Sequence, residues 1–223
     1  MSDANFIREI EEEVRRDRMV KLWEHYGHYI IGAAVLIVLA VAGYRGWHWY
    51  QARESARAGE RYEQALTLAQ SGKQAEAEQE LAGLAKDAPA GYRMLARMRL
   101  AAESAKANAA EGVKAYDAIA ADTSVDPVLR DIARLRAVLL LVDPAPPSEI
   151  EGRIAPLTGA RAAFRNSAKD ALALSYYRSG DKAKAGTLYR EILADPEVPP
   201  ALANRAQIMQ ALTAEAAANP PAK

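Results

Sequence analysis

The side chains able to do acid, base, nucleophilic or soft-metal chemistry near neutral pH are few in this chain and gathered at one end of it. Its three histidines, His25, His28 and His48, all precede Trp49, and there is no cysteine. His25 and His28, three residues apart, share one face of a helix and could hold a metal ion, but no third ligand is evident, so they read as side chains at the edge of an apolar segment. From Trp49 to Lys223 the chain offers no imidazole or thiol as general base, nucleophile or zinc ligand. It has no glycine-rich loop of the phosphate-binding type, and its carboxylates face Lys and Arg at helical spacing, as on solvated surfaces. The expectation is a protein with no enzymatic activity, no cofactor, no metal and no small-molecule substrate. What remains is recognition, carried by aromatic rings and guanidinium groups.

The aromatic rings are unevenly placed. Trp23, Tyr26 and Tyr29 stand at one end of the run HYGHYIIGAAVLIVLAVAGY (residues 25–44), and Tyr44, Trp47, Trp49 and Tyr50 at the other, so seven of the fifteen aromatics and every Trp lie around it. The run contains no Asp, Glu, Lys or Arg. At about 1.5 Å per residue, a helix of this length covers about 30 Å, the thickness of a bilayer's hydrocarbon core. It satisfies its own backbone groups while showing lipid only Ile, Leu, Val, Ala and Gly over its interior. Amphipathic rings favour the headgroup level, so the two belts mark a transmembrane helix rather than a buried core helix, and the seven aromatics are its membrane-interface residues. Ala40-Val41-Ala42 also has the small-x-small form that signal peptidases accept. The long, acid-rich segment before the run and the aromatic belt after it argue for an uncut anchor.

Residues 1–24 read as a charged head. Phe6, Ile10 and Val14 recur every four residues, and Glu11 with Arg15 and Glu12 with Arg16 are well-oriented i,i+4 pairs, which predicts a short helix running toward the span. Four basic residues before the run (Arg15, Arg16, Arg18, Lys21) against three after it (Arg45, Arg53, Arg57) do not decide orientation. Position does: a first hydrophobic segment behind a short head behaves as a signal-anchor, leaving the head in the cytoplasm and exporting the domain beyond the span.

Lys plus Arg equals Asp plus Glu at 29 each, so no global field draws nucleic acid or a strongly acidic partner. Ala, Leu, Glu, Arg and Lys dominate and β-branched residues are sparse outside the apolar run, the composition of an all-α protein. Breaks at Gly72, Pro89, Asn108, Asp126-Pro127, Asp143 to Pro147, Gly159, Gly180 and Asp195 to Pro200 divide the chain after Ala52 into about nine helices of roughly 10 to 19 residues. Asp126 before Pro127 predicts an N-cap, and Ser148 with Glu151 has the spacing of a capping box. Val138 to Val142, apolar on every side, is expected inside the stack and covered on both sides.

Two stretches share one ruler. Ala173, Tyr176, Gly180, Ala185, Tyr189 and Ile192 succeed one another at steps of 3, 4, 5, 4 and 3, and Ala65, Leu68, Gly72, Ala77, Leu81 and Leu84 repeat those steps. This is the spacing of a tetratricopeptide helix-turn-helix, in which small residues let two helices approach, glycine makes the turn and larger side chains fill the gap between hairpins. Gly112, Tyr116 and Ile119 match the second helix of another copy, and a further pair is expected from Pro127 to Leu157. Such hairpins stack into a right-handed superhelix with a concave side open for a peptide or a helix. A helix from about Pro200 to Ala217 would cap it. On the outward stripe of the first helices fall Tyr62 and Leu66, Arg97 and Ala101, and Leu174, Tyr177 and Arg178. Of these, Tyr62, Arg97, Tyr177 and Arg178 are the expected partner-binding residues, because aromatics and arginines dominate interface hot spots. The expected organisation is a head (1–24), a transmembrane helix (25–44), an aromatic interfacial segment (45–51), a tetratricopeptide-like α-solenoid of about four hairpins plus a capping helix (52–218) and a disordered tail (219–223).

The anchor His25–Tyr44, the Ser55-Ala56-Arg57-Ala58 opening of the first repeat helix and the Gly180-Asp181 hairpin together resemble the family of the ancillary SecYEG translocon subunit. Its members are single-pass proteins of the bacterial inner membrane with a periplasmic repeat domain. The resemblance implies two partners, the SecYEG translocon and a membrane-anchored periplasmic chaperone related to prolyl isomerases, with the lipid bilayer around the anchor. A scaffold for envelope or cell-division proteins would have the same architecture and a different partner.

Overall fold

A computed structural model describes residues 3–218, with side chains described for residues 26–29 and 31–214. All regular structure among the described residues is helical. The chain divides into two compact units, residues 1–57 and 58–223. α1 (Asp3–Gln70) contributes to both.

One helix therefore stands where the sequence predicts a short head helix, a span and a repeat helix in succession. Punctuation explains this. The first proline of the chain is Pro89, and the single glycines Gly27, Gly32, Gly43, Gly46 and Gly59 each cost about 1 kcal/mol of helix propensity without removing a backbone donor. In the first unit every side chain from Ile31 to Tyr50 is exposed. This helix is long and apolar enough to cross a membrane.

The second unit holds the end of α1 with α2 (Gln74–Asp87), α3 (Ala90–Ala107), α4 (Ala109–Ala121), α5 (Pro127–Leu141), α6 (Pro147–Ile154) and its 3-10 extension Ala155–Leu157, α7 (Arg165–Arg178), α8 (Lys182–Ala194) and α9 (Pro200–Ala218). From α2 onward each helix packs on its sequence neighbours, and α7 also meets α5 and α9. Ala58 and Ala65 of α1 share a core with Leu81 and Leu84 of α2 and Ala96 of α3. The result is four helical hairpins and a final helix, the α-solenoid that the repeat ruler predicts.

The ruler's small residues lie at the helix contacts. Ala65, Ala77, Leu81 and Leu84 are fully buried, as are Ala173, Ala185 and Ile192. Gly72 and Gly180 carry φ of +81° and +89° at the two hairpin turns, where a Cβ would be strained. Polar side chains cap the starts of α4, α5 and α8. Asn108, the single residue between α3 and α4, accepts from the Ala110 amide at 3.0 Å. Asp126 accepts from the Val128 amide at 2.8 Å, with Pro127 at the first helical position, and Asp181 accepts from the Lys184 amide at 3.1 Å.

Three expectations are corrected. Ser148 forms no capping box: α6 starts one residue earlier on Pro147, whose fixed φ suits the first helical position, and Pro146 before it has no capping side chain. The apolar run of α5 is covered on two sides but not all round: Leu140 and Leu141 pack on the core toward α4, and Val138 and Val142 are buried toward α6 and α7, but Leu139 is 48 % exposed, because five consecutive helical residues point in every direction at about 100° steps. Ala101 does not face outward, since α4 and α5 pack over it.

Candidate partner-binding surfaces

Each of the four expected contact residues sits at a seam between helices. Tyr62 of α1 is half-buried with its ring 6.3 Å from that of Tyr92 on α3. Tyr92 needs the room that Gly59 leaves, since a Cβ there would lie 2.8 Å from its hydroxyl. Arg97 of α3 donates to the Asp122 carboxylate at 2.8 Å. Tyr177 of α7 packs against the core that α7, α8 and α9 share, with the Lys182 ammonium 5.7 Å from its ring centre. Arg178, exposed at the end of α7, donates to the Val142 carbonyl at 3.0 Å and pairs with Asp143 at 2.5 Å. No hydrogen bond, ion pair or ring contact joins any two of the four.

Surface grooves accompany these seams. One of about 460 Å³ runs between α3 and α5, lined by Arg93, Met94, Arg97, Val125 and Leu129 among others. Its Arg93 is exposed, so the groove offers apolar walls and guanidinium donors together. Sequence reasoning finds Arg97 but misses Arg93, one turn earlier on the same face of α3, and Met94, because spacing within α3 does not reveal that the turn before α5 and the start of α5 form a groove with them. A second groove, of about 310 Å³, holds Asp117, Arg134 and Arg153. Arg153 grips both Asp117 oxygens at 3.1 and 2.9 Å, and Arg134 donates to the Ala120 carbonyl at 3.2 Å. A third, of about 510 Å³, lies beside Tyr176, whose hydroxyl donates to Glu151 at 3.4 Å and whose ring carries the Lys184 ammonium 4.8 Å from its centre. The charges in the last two grooves are already paired within the chain, Arg153 with Asp117, Arg134 with Asp131 and Lys184 with Asp181, an arrangement suited to shape recognition.

Of the aromatics at the apolar run, Tyr26, Tyr29, Tyr44, Trp47, Trp49 and Tyr50 are all exposed. Trp23 and His25 lie outside the described side chains. His28 stacks beside Tyr29 at 4.0 Å between ring centres, and His48 packs edge-on to Tyr44 at 4.4 Å.

The family model of the tetratricopeptide repeat-like domain matches residues 21–197, most of the chain. The chain belongs to that family. No curated protein and no solved structure matches it. The match begins at Lys21, so the apolar run lies within the tetratricopeptide repeat-like region. Repeats of this kind typically act as non-catalytic scaffolds, and the role they carry is that of an adaptor for other proteins.

In this tetratricopeptide repeat-like protein, buried and half-buried charges clasp the hairpins together. Glu103, fully buried on α3, takes Gln74 at 2.9 Å, Lys106 at 2.7 Å and Arg99 at 2.7 Å, tying α3 to the start of α2. Burial pushes its carboxyl up, but the hydrogen bonds from Lys106 and Gln74 and the charge of Arg99 outweigh that and leave it lowered. Asp170 of α7 pairs with Arg205 of α9, yet burial dominates and holds its carboxyl above the ordinary range. Arg165 reaches across the α8–α9 connection to both Asp195 oxygens, at 2.6 and 2.8 Å, and to Glu197 at 2.7 Å.

The Asp122 clasp should be visible in a pH titration. The Ser124 hydroxyl first, then the Arg97 guanidinium, hold the Asp122 carboxyl down to about 2 from an ordinary 3.8. A carboxyl lowered by folding adds stability that is present above its unfolded value and lost as pH falls through its folded one. Asp122→Asn should therefore lower the melting temperature at neutral pH, and the gap to wild type should close between pH 3.8 and about 2. A gap of constant size across that range would show that the carboxylate's charge does not hold the turn.

Proposed function

We propose that this protein is a membrane-anchored adaptor of the SecYEG export translocon. In this reading residues 25–44 cross the bacterial inner membrane, 1–24 stay in the cytoplasm, 45–51 lie at the interface, and 52–218 capture protein partners in the periplasm. The observation that carries the anchor is the uninterrupted exposure of Ile31 to Tyr50, apolar as far as Gly43 and aromatic beyond it. Exposed apolar surface costs about 25 cal/mol per Å² in water, and a continuous sleeve of it calls for a lipid or protein environment. The adaptor role rests on the repeats, and the two partners, the translocon and a membrane-anchored periplasmic chaperone, on the resemblance of the anchor and repeat hairpins. Tyr62, Arg97, Tyr177 and Arg178 are the proposed capture residues, with Arg93 beside Arg97 in the α3–α5 groove.

Purification from detergent-solubilised membranes tests this. Translocon subunits should dominate the eluate. A protein with Tyr62, Arg97, Tyr177 and Arg178 all changed to Ala should keep its helicity, melt a few degrees lower for the loss of two ion pairs, and lose most of the partner. Division or envelope scaffold proteins in place of translocon subunits would overturn the assignment, and full partner yield from the quadruple variant would move the contact to the anchor. A reporter fused after Lys223 should be active only in a form that folds outside the cytoplasm. Fluorescence from a cytoplasm-only reporter there would reverse the topology.

A further inference from the structure

Just past the apolar run of α1, Arg45, Trp49 and Arg53 stand four residues apart and line up on one helix face. All three are exposed. The Arg53 guanidinium carbon lies 5.3 Å from the centre of the Trp49 ring. Helical side chains lean toward the helix N-terminus, and Arg53 does so here, folding back over the indole in the direction of Arg45. Tyr44 and His48, packed on each other, occupy the neighbouring face.

Counter-charge is missing from this face. Between Glu24 and Glu54 the sequence contains no acid, and Glu54 is taken by Arg57 at 2.9 Å. Each guanidinium carries five donors in a planar fork that fits a phosphate oxygen pair, and its weak hydration lets it work beside an aromatic surface. Arg45 and Arg53 are about 12 Å apart along the helix axis, with the indole between them. Arg45 comes directly after Tyr44 at the end of the charge-free run, so in a bilayer the trio falls at and just beyond the headgroup layer, about 5–7 Å deep on each side. A zwitterionic lipid carries its own cation beside its phosphate and no net charge, so it gains less from the two arginines. An anionic lipid carries a net negative charge for them to neutralise.

We propose that the face formed by Arg45, Trp49 and Arg53 recruits anionic glycerophospholipid, the Arg45 guanidinium holding the phosphodiester of the headgroup and Arg53, folded over the indole, adding a second positive charge just beyond it. This rests on the membrane-spanning reading of residues 25–44 and goes beyond it, because an apolar span alone selects no lipid class.

The full chain with Trp23→Phe and Trp47→Phe keeps Trp49 as its one indole and can be reconstituted in phosphatidylcholine vesicles. The vesicles carry a trace of phosphatidylglycerol or of phosphatidylcholine labelled with dansyl on the acyl chain. Energy transfer from Trp49 to the anionic label should exceed transfer to the neutral one by roughly fivefold, the scale expected for a basic side chain near a membrane surface. In the Arg45→Gln, Arg53→Gln protein the two should become equal, while Arg45→Lys, Arg53→Lys should keep a smaller preference, since ammonium groups hold the charge but not the fork. Equal transfer in the parent protein would overturn the site. So would loss of the preference on adding millimolar glycerol 3-phosphate, which would assign the arginines to a soluble phosphate. Resistance to alkaline extraction in the same vesicles separates the two readings: protein stripped by alkali refutes the span and the site with it, whereas protein that stays inserted and shows equal transfer refutes the headgroup site alone.

Discussion

Ala173→Trp and Ala185→Trp should each unfold the α7–α8 hairpin, seen as a large fall in the urea midpoint and a loss of helical circular dichroism. Both alanines are 0 % exposed, one on each helix of the hairpin, and they share a core with Tyr189, Ile192, Leu202 and Ala206. Adding a methylene or two to a packed core costs about 1–3 kcal/mol, and an indole adds far more than that. The cost would be a large part of a total stability of about 5–15 kcal/mol. Because Leu202 and Ala206 belong to α9, the loss should spread to the final helix. A midpoint within error of wild type for either variant would remove the close helix contact that the repeat ruler places there.

Gly112→Ala should destabilise the protein, although helix propensity alone predicts the reverse. Alanine exceeds glycine by about 1 kcal/mol in a helix interior. Here, however, a Cβ on Gly112 would stand 2.3 Å from the Cβ and 2.7 Å from the Cα of Ala105. Carbon atoms pack at about 3.5–4.0 Å, so α3 and α4 would have to part by more than about 1 Å. That separation loosens a core in which Ala101, Val113, Tyr116 and Ile119 are all buried. We expect a net loss of about 1–2 kcal/mol for alanine and about 3 kcal/mol or more for Gly112→Leu, where no small shift suffices. A rise in melting temperature for the alanine variant would show that the two helices are not in tight contact at this point.

Much of this fold is written locally. The turn glycines Gly72 and Gly180, the buried alanines around them, the cap at Asp126 and the break at Asn108 all act within a few residues, so spacing along the chain reveals them. The failures share a cause. Rows of residues on a single helix place Leu139 inside and Ala101 outside, yet exposure depends on which neighbours cover that helix. α4 and α5 cover Ala101, while nothing comparable covers Leu139. Ser148 is a sound cap by spacing, but Pro147 already fixes the first helical turn. The clasps are illegible for the same reason. Arg97 reaches Asp122 across 25 residues, and Gln74 reaches Glu103 across 29. No helical period links such positions. The expected contact residues are thus legible as residue types on particular helices, but not the intramolecular partners that orient them.

From α2 to α9, packing runs almost wholly between consecutive helices. No early segment waits for a distant one to be made. Helical proteins with such local contacts fold in microseconds to milliseconds, whereas a ribosome adds only about 5–20 residues per second. Each new helix can therefore settle on the ones before it soon after it has left the exit tunnel or a membrane channel. At any moment during its birth the domain exposes one sticky edge, that of its newest helix, and a chaperone would have only that edge to guard.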